Sequence, residues 1–139
     1  MMLRIHHEDT KTRRFDDRVE LLAEQIVDAA FQVHSALGPG LLEVVYEACF
    51  VHELRRRGIK FQAQVHLPVS YRDLKLDAGL RLDVLVEETV VVEIKAVESL
   101  LPVHKAQLLT YLKLSGHALG FLINFNVPLI KEGVRRMVL

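Results

Sequence analysis

The stretch Gly79–Ala96 reads Gly-Leu-Arg-Leu-Asp-Val-Leu-Val-Glu-Glu-Thr-Val-Val-Val-Glu-Ile-Lys-Ala. β-Branched and apolar residues dominate both halves, so it predicts two strands joined by a short turn. If Val86 pairs with Val90, Asp83 lies directly opposite Glu93, because side chains alternate between the two faces of a strand. Facing carboxylates repel unless a cation or a proton lies between them, and a hard divalent cation such as Mg²⁺ suits that position. The hairpin therefore predicts a metal site.

The two faces of this hairpin differ in polarity. Its even-numbered residues from Leu80 to Ala96, the turn apart, are all apolar and predict a face buried under a helix. Its odd-numbered residues carry charges, which an exposed salt-bridged hairpin would also explain at a few tenths of a kcal/mol per pair. The uniformly apolar opposite face and the run Val90–Val92 favour a central hairpin instead.

The bulk composition describes an ordinary globular chain. Its 139 residues suffice for one domain with a hydrophobic core. The charges balance, with 18 Lys+Arg and 18 Asp+Glu, so nothing in the net charge drives binding to nucleic acid. The single cysteine, Cys49, fits a reducing cytosol, and no apolar run is long enough to cross a membrane. We expect a cytoplasmic protein with a flexible N-terminal arm, residues 1–18, and one domain, residues 19–139.

Hydrophobic periodicity predicts an α/β fold in which helices flank a mixed β-sheet. Pro68 places the first strand at an edge of the sheet or at a bulge. The tail after Pro128 is compatible with an edge strand or with a helical turn. The expected elements are helices over 19–37, 41–57 and 103–115 and strands over 61–72, 79–86, 90–96 and 118–125.

Asp83, Glu93 and Lys95 resemble the Asp…(Asp/Glu)-x-Lys signature of the PD-(D/E)xK nuclease superfamily. The predicted order of elements is similar to the αβββαβ core of that superfamily. The resemblance therefore implies a restriction-endonuclease-like fold and a metal-dependent hydrolase.

An upstream motif narrows this resemblance. Gly40, Glu43 and Tyr46 match the GxxExxY motif, which names a small family of bacterial proteins within the same superfamily. Segments 52–54, 92–96, 101–112 and 122–126 also resemble that family. The resemblance covers the chain from about residue 20 to its end.

The resemblance assigns roles to the hairpin residues. It implies that Asp83, Glu93 and the main-chain carbonyl of Ile94 bind Mg²⁺ (or Mn²⁺). It further implies that Lys95 orients or deprotonates the attacking water and stabilises the developing negative charge.

Residues outside the hairpin have roles that are open between function and structure. The resemblance implies that Glu43 completes the metal shell or holds a second ion, although a glutamate at a helix N-terminus is favourable in any case. Gln107 would orient the lysine or the water, or else bond to backbone. Candidate substrate contacts, for each of which a structural or solvated role is an alternative, are His104, Tyr46, Arg55, Arg56, Lys60, Arg135 and Arg136.

These observations predict a Mg²⁺-dependent nuclease that acts on DNA in preference to RNA. The alternatives are a non-catalytic nuclease-fold module that binds a protein or nucleic-acid partner, and a hydrolase of a small phosphorylated metabolite, which the neutral charge would permit. Small nucleases of this fold often pair to reach both strands, which favours a homodimer.

Overall fold

A computed structural model describes residues 14–139, apart from the side chain of Ala78. The described chain is built in the order helix, helix, three strands, helix and two strands. The elements are α1 (Asp17–Leu37), α2 (Glu43–Arg56), β1 (Phe61–Tyr71), β2 (Leu74–Val86), β3 (Val90–Lys95), α3 (Pro102–Ser115), β4 (Leu119–Asn124), a 3₁₀ turn (Ile130–Gly133) and β5 (Val134–Val138). The predicted α/β class and αβββαβ core, which runs from α2 to β4, are confirmed.

The five strands form one mixed sheet in the order β1-β2-β3-β4-β5. β3 and β4 are parallel, and the other neighbouring pairs are antiparallel. A parallel pair needs a crossover, and α3 supplies it between β3 and β4. The tail contains both of the structures left open by the sequence, a helical turn followed by an edge strand.

The sheet is covered on both faces. On one face, α1 and α2 bury side chains such as Ile26, Phe50 and Leu54 against β3 and β4. On the other face, Leu108 and Leu112 of α3 pack in a second cluster. All residues of β4 are buried, as expected for a strand between two layers of helices.

The register of the central hairpin is as predicted. Val86 pairs with Val90, and Val84 pairs with Val92. The turn closes with a bond from the amide of Thr89 to the carbonyl of Val86, at 2.9 Å. Its two central residues, Glu87 and Glu88, both have a φ of 51°. This is the backbone of a type I′ turn, which normally contains asparagine and glycine.

The strained turn predicts that Glu88→Gly stabilises the protein by about 0.5–1 kcal/mol, because a Cβ in the left-handed region costs about 1–2 kcal/mol and the freedom of glycine in the unfolded chain offsets part of it. Urea unfolding measures the change. Glu88→Ala is the matched control, since it removes the same charge but keeps a Cβ. An equal gain in both variants would assign the effect to charge instead of backbone.

One expectation about the hairpin is wrong. Val84 and Val86 do pack under α1 and α2, but Leu80 and Leu82 belong to the cluster under α3. The apolar even-numbered face is therefore divided between the two cores. The division coincides with Gln64, which lies across from Asp83 on β1 and has a φ of 56°. Such a residue interrupts regular pleating, and the sequence gives no sign of it.

Beyond Asp83, β1 and β2 continue as a pair without β3, and we call this ribbon, Val65–Tyr71 with Leu74–Leu82, the hairpin arm. Pro68 lies at a register shift on this edge strand, as predicted. One residue of β1, Pro68, faces the three residues 77–79 of β2. Gly79 permits the close approach, because a Cβ there would overlap Val69. The arm is therefore bent at this bulge.

The first helix begins earlier than the predicted residue 19. The side chain of Asp16 accepts a bond from the amide of Val19 and caps the helix, so Asp17 and Arg18 are helical. Phe15 packs against the core. The predicted flexible arm, residues 1–18, lies outside the described residues as far as residue 13.

Candidate active site

A cleft of about 450 Å³ opens on the α3 side of the sheet, at the end of β3. Five of the predicted catalytic and metal-binding residues line it, namely Glu43, Asp83, Glu93, Lys95 and Gln107. The structure thus brings together side chains from α2, β2, β3 and α3. Other lining residues, which the sequence analysis did not select, are His66, Gly79, Leu80, Arg81 and Tyr111.

Asp83 and Glu93 form the floor of the cleft. The amide of Asp83 donates to Oε2 of Glu93, and the amide of Ile94 donates to Oδ2 of Asp83, both at 2.9 Å. These crossed bonds replace the backbone ladder at the point where β2 leaves β3. Each carboxyl is thus fixed through one oxygen by a main-chain amide, and the other oxygen of Asp83 faces the guanidinium of Arg81 at 4.0 Å. The pair is buried, with only 7% of Asp83 and 4% of Glu93 exposed.

The electrostatics of this pair favour a bound cation. Burial, followed by the charge of Asp83, raises the pKa of Glu93 to about 8, against the weaker opposing effect of Lys95. Two neighbouring carboxyl groups that keep a proton when no cation is bound offer the oxygen ligands that a hard divalent ion prefers. Within residues 14–139, no three His, Cys, Asp or Glu side chains are grouped to hold a metal by themselves. The donor set therefore fits an ion that retains water ligands, as Mg²⁺ does.

The raised pKa predicts that metal-free protein loses stability as the pH rises from about 4.5 to about 8. The unfolded carboxyl ionises near its ordinary pKa of 4.5, whereas the folded one keeps its proton to about pH 8. In this window the unfolded state binds fewer protons, so the Glu93 contribution is complete at low pH and falls by at most about 1.4 kcal/mol per pH unit.

Urea unfolding of wild type and Glu93→Gln in EDTA, repeated across this pH range, measures the contribution. As the pH rises, the free energy of unfolding of wild type should fall relative to that of Glu93→Gln. Glu47, whose pKa is also raised, is present in both proteins and largely cancels. Parallel curves would contradict the assignment.

Glu43 reaches the cleft from the opposite side of the sheet. It is the first residue of α2, and its Oε2 accepts a bond from the amide of Ala96 at 3.3 Å. The preceding loop contains Gly40 with a φ of 100°, a conformation that glycine adopts readily. The amide of Gly40 donates to the side chain of Asn126. The loop is therefore anchored to the end of β4, beside the cleft.

Tyr46 has a structural part in this arrangement and does not line the cleft. It is completely buried and stacks on Phe125 with ring centroids 4.7 Å apart. Its hydroxyl donates to the carbonyl of Gly38 at 2.6 Å and accepts from the amide of Leu41 at 3.1 Å. The tyrosine of the motif thus closes the glycine loop that positions Glu43.

A half-buried acid, Glu47, lies close to Asp83. Gln64 donates to both carboxylate oxygens of Glu47, at 2.9 and 2.7 Å. Burial, with a smaller contribution from the charge of Asp83, raises the pKa of Glu47. The sequence analysis missed both residues. The only available signal was that Glu47 follows Glu43 by one helical turn.

Lys95 and two residues of α3 complete the wall of the cleft. Lys95 is half-buried and forms no salt bridge within residues 14–139, so its ammonium is available to a substrate. Gln107 and Tyr111 lie one turn apart on α3. Burial, followed by the charges of Glu93 and Asp83, raises the pKa of Tyr111.

The structure does not bring the remaining predicted substrate contacts into the cleft. His104 accepts the amide of Leu101 through Nδ1 and caps α3. Arg55 and Lys60 line a separate groove beside the turn of the hairpin. Arg56 pairs with Glu53.

Arg135 and Arg136 lie on β5, also away from the cleft. Arg135 donates to the carbonyls of Glu132 and Val134. Arg136 binds both carboxylate oxygens of Glu20, the shorter contact being 2.7 Å. Both arginines therefore have structural partners.

The cleft thus combines carboxylates on neighbouring strands with a lysine two residues further on and a helix that carries a glutamine, on an α/β core. A family model described as the PD-(D/E)XK nuclease superfamily matches residues 20–137. The chain belongs to that superfamily, whose members generally use divalent metal ions. Neither a curated protein nor a solved structure matches the chain significantly. Within the described residues, no helix is both long and apolar enough to cross a membrane.

Proposed function

We propose that this protein is a metal-dependent nuclease whose active site is the cleft at the end of β3. The observation that carries the proposal is the buried Asp83–Glu93 pair in an open cleft with Lys95, which forms no salt bridge within residues 14–139. Membership of the PD-(D/E)XK nuclease superfamily also supports a nuclease reaction. The match of Gly40, Glu43 and Tyr46 to the GxxExxY motif supports the GxxExxY family within that superfamily.

The metal ligands in this proposal are Asp83, Glu93 and the main-chain carbonyl of Ile94, with Mg²⁺ or Mn²⁺ as the ion. When bound there, such an ion supplies positive charge beside the phosphate and lowers the pKa of water. Glu43 borders the same cleft and is held by the amide of Ala96. Its proposed role is to complete the metal shell or to hold a second ion.

Lys95 performs the main protein-side step. Hydrolysis of a phosphodiester needs an oriented water and stabilisation of the charge that develops at phosphorus. The ammonium of Lys95 would hold the attacking water and stabilise that charge. Gln107 would orient the lysine or the water through its amide, from the facing helix.

The substrate in this proposal is DNA in preference to RNA, and the protein acts in the cytoplasm, where its single Cys49 stays reduced. The balanced net charge means that affinity must come from local contacts near the cleft. A homodimer would let two clefts reach both strands.

Cleavage of matched DNA and RNA tests this choice. Single- and double-stranded versions of one sequence would be incubated with the protein and Mg²⁺. The proposal expects cutting of DNA at the higher rate. Faster cutting of RNA would overturn the substrate choice, and binding without any cutting would favour a non-catalytic nuclease-fold module.

A further inference from the structure

The hairpin arm continues directly from the cleft. β2 pairs with β3 only from Val84 to Val86, whereas its pairing with β1 continues out to Tyr71 and Leu74. At about 3.3 Å per residue, the six steps of β1 from Val65 to Tyr71 extend about 20 Å beyond the sheet, because the extra residues of the bulge in β2 add no length. The site therefore has a two-stranded ribbon attached to its edge.

The base of the arm places an arginine and a histidine within the cleft itself. His66 and Arg81 are cross-strand partners, and both line the cleft. The guanidinium of Arg81 lies 4.0 Å from Oδ1 of Asp83, yet 55% of its side chain remains exposed. A guanidinium in this position binds phosphate through two parallel bonds at little further cost in ordering.

The tip of the arm carries a second group. Tyr71 is 62% exposed, and the guanidinium of Arg72 lies over its ring at 5.4 Å. Lys75 is exposed nearby. Asp73 and Asp77 are also on the arm, so its net charge is small. The cationic side chains lie at the two ends of the arm, and Asp83 and Glu93 lie beside its base.

From this placement, and resting on the nuclease function proposed above, we propose that the arm binds duplex nucleic acid. Arg81 and His66 bind the phosphate next to the one that is cleaved, while Arg72 and Lys75 bind the backbone further along the duplex. A two-stranded ribbon has dimensions that fit a groove of B-form DNA. An arm of about 20 Å spans about six base pairs at 3.4 Å each. The preferred substrate is therefore a duplex longer than this span.

Binding without cleavage tests the proposal. Fluorescence anisotropy in EDTA would compare the full chain with the double variant Arg72→Ala/Lys75→Ala and with Arg81→Ala. The probes are labelled DNA hairpins with stems of about 5 and about 16 base pairs, which fall short of and exceed the arm's span. The control is Arg18→Ala/Lys113→Ala, which removes the same two charges from exposed positions outside the arm and the cleft.

The tip variant, Arg72→Ala/Lys75→Ala, should bind the long stem at least about tenfold more weakly than wild type does. The slope of its log Kd against log salt concentration should be smaller by about 1.8, because each lost phosphate contact contributes about 0.9. The tip variant and wild type should bind the short stem equally well. Arg81→Ala should weaken both. Thermal unfolding checks that all variants fold.

Three results would overturn the arm's role. In the first, the tip variant and the control bind alike. In the second, wild type binds neither stem. In the third, wild type self-associates in sedimentation while the tip variant is monomeric, which would assign exposed Leu74 and Leu76 to a protein interface. Tip-dependent binding without cleavage in Mg²⁺ or Mn²⁺ would instead leave the arm intact and refute the nuclease.

Discussion

Replacing Lys95 with alanine is expected to lower metal-dependent cleavage by about two to four orders of magnitude, the usual contribution of a group that transfers a proton or stabilises charge in the transition state. The affinity for the divalent ion should change little, because the donors are carboxylate and carbonyl oxygens. Single-turnover kinetics and calorimetric titration with Mn²⁺ measure the two quantities separately. Lys113→Ala, an exposed lysine on α3, serves as the control.

An unchanged rate in Lys95→Ala would remove the lysine from the chemistry. A loss of ion binding in the same variant would also contradict the account, since it would make Lys95 part of the metal site's structure. The informative outcome is therefore the separation of turnover from ion affinity, and neither measurement alone is sufficient.

The second large effect is expected for Asp83→Asn, which should weaken binding of Mn²⁺ or Mg²⁺ by more than about a hundredfold. Loss of a residue that only hydrogen-bonds to a metal ligand costs about 10–100-fold in affinity, and loss of a ligand itself should cost more. The fold should persist, since an asparagine oxygen can still accept the amide of Ile94. The remaining carboxyl, Glu93, should also titrate at lower pH once the neighbouring charge is gone.

Titration calorimetry of wild type and Asp83→Asn measures the ion affinity directly, without any substrate. Asp77→Asn is the matched control, because it makes the same change on the exposed arm. Equal affinities in wild type and Asp83→Asn would show that the ion binds elsewhere. The titration of Glu93 can be followed separately by NMR of its carboxyl carbon.

Much of the site was predictable because it depends on local periodicity. Once Val86 pairs with Val90, alternation alone places Asp83 beside Glu93, and Lys95 follows on the same face. The helices were predictable from their apolar spacing, and their ends from flanking glycines. These features need only short-range information.

The features that the sequence did not reveal depend on backbone irregularity or on distant contacts. The division of the apolar face of β2 coincides with Gln64, whose backbone is left-handed. The residue types in this stretch do not predict that conformation. Its bond to Glu47 joins residues 17 positions apart. The part that Tyr46 plays in closing the glycine loop likewise depends on Phe125, at the end of β4.

The charge runs in the sequence do not show which arginines line the cleft. Arg136 is bound by Glu20 from the other end of the chain, a pairing that sequence distance conceals. Arg81, by contrast, stands alone in the sequence and lies in the cleft because β2 runs past Asp83. Position in the fold separates these arginines, and their local sequence does not.

Incubation of labelled DNA with wild type and with Lys95→Ala, prepared in parallel, tests whether Asp83, Glu93 and Lys95 form a metal-dependent nuclease site. Each protein would receive Mg²⁺, Mn²⁺ or EDTA. We expect wild type to cut the DNA with either ion but not in EDTA, and we expect the variant to lose this activity. Cutting that persists in EDTA, or that is equal in both proteins, would contradict this expectation.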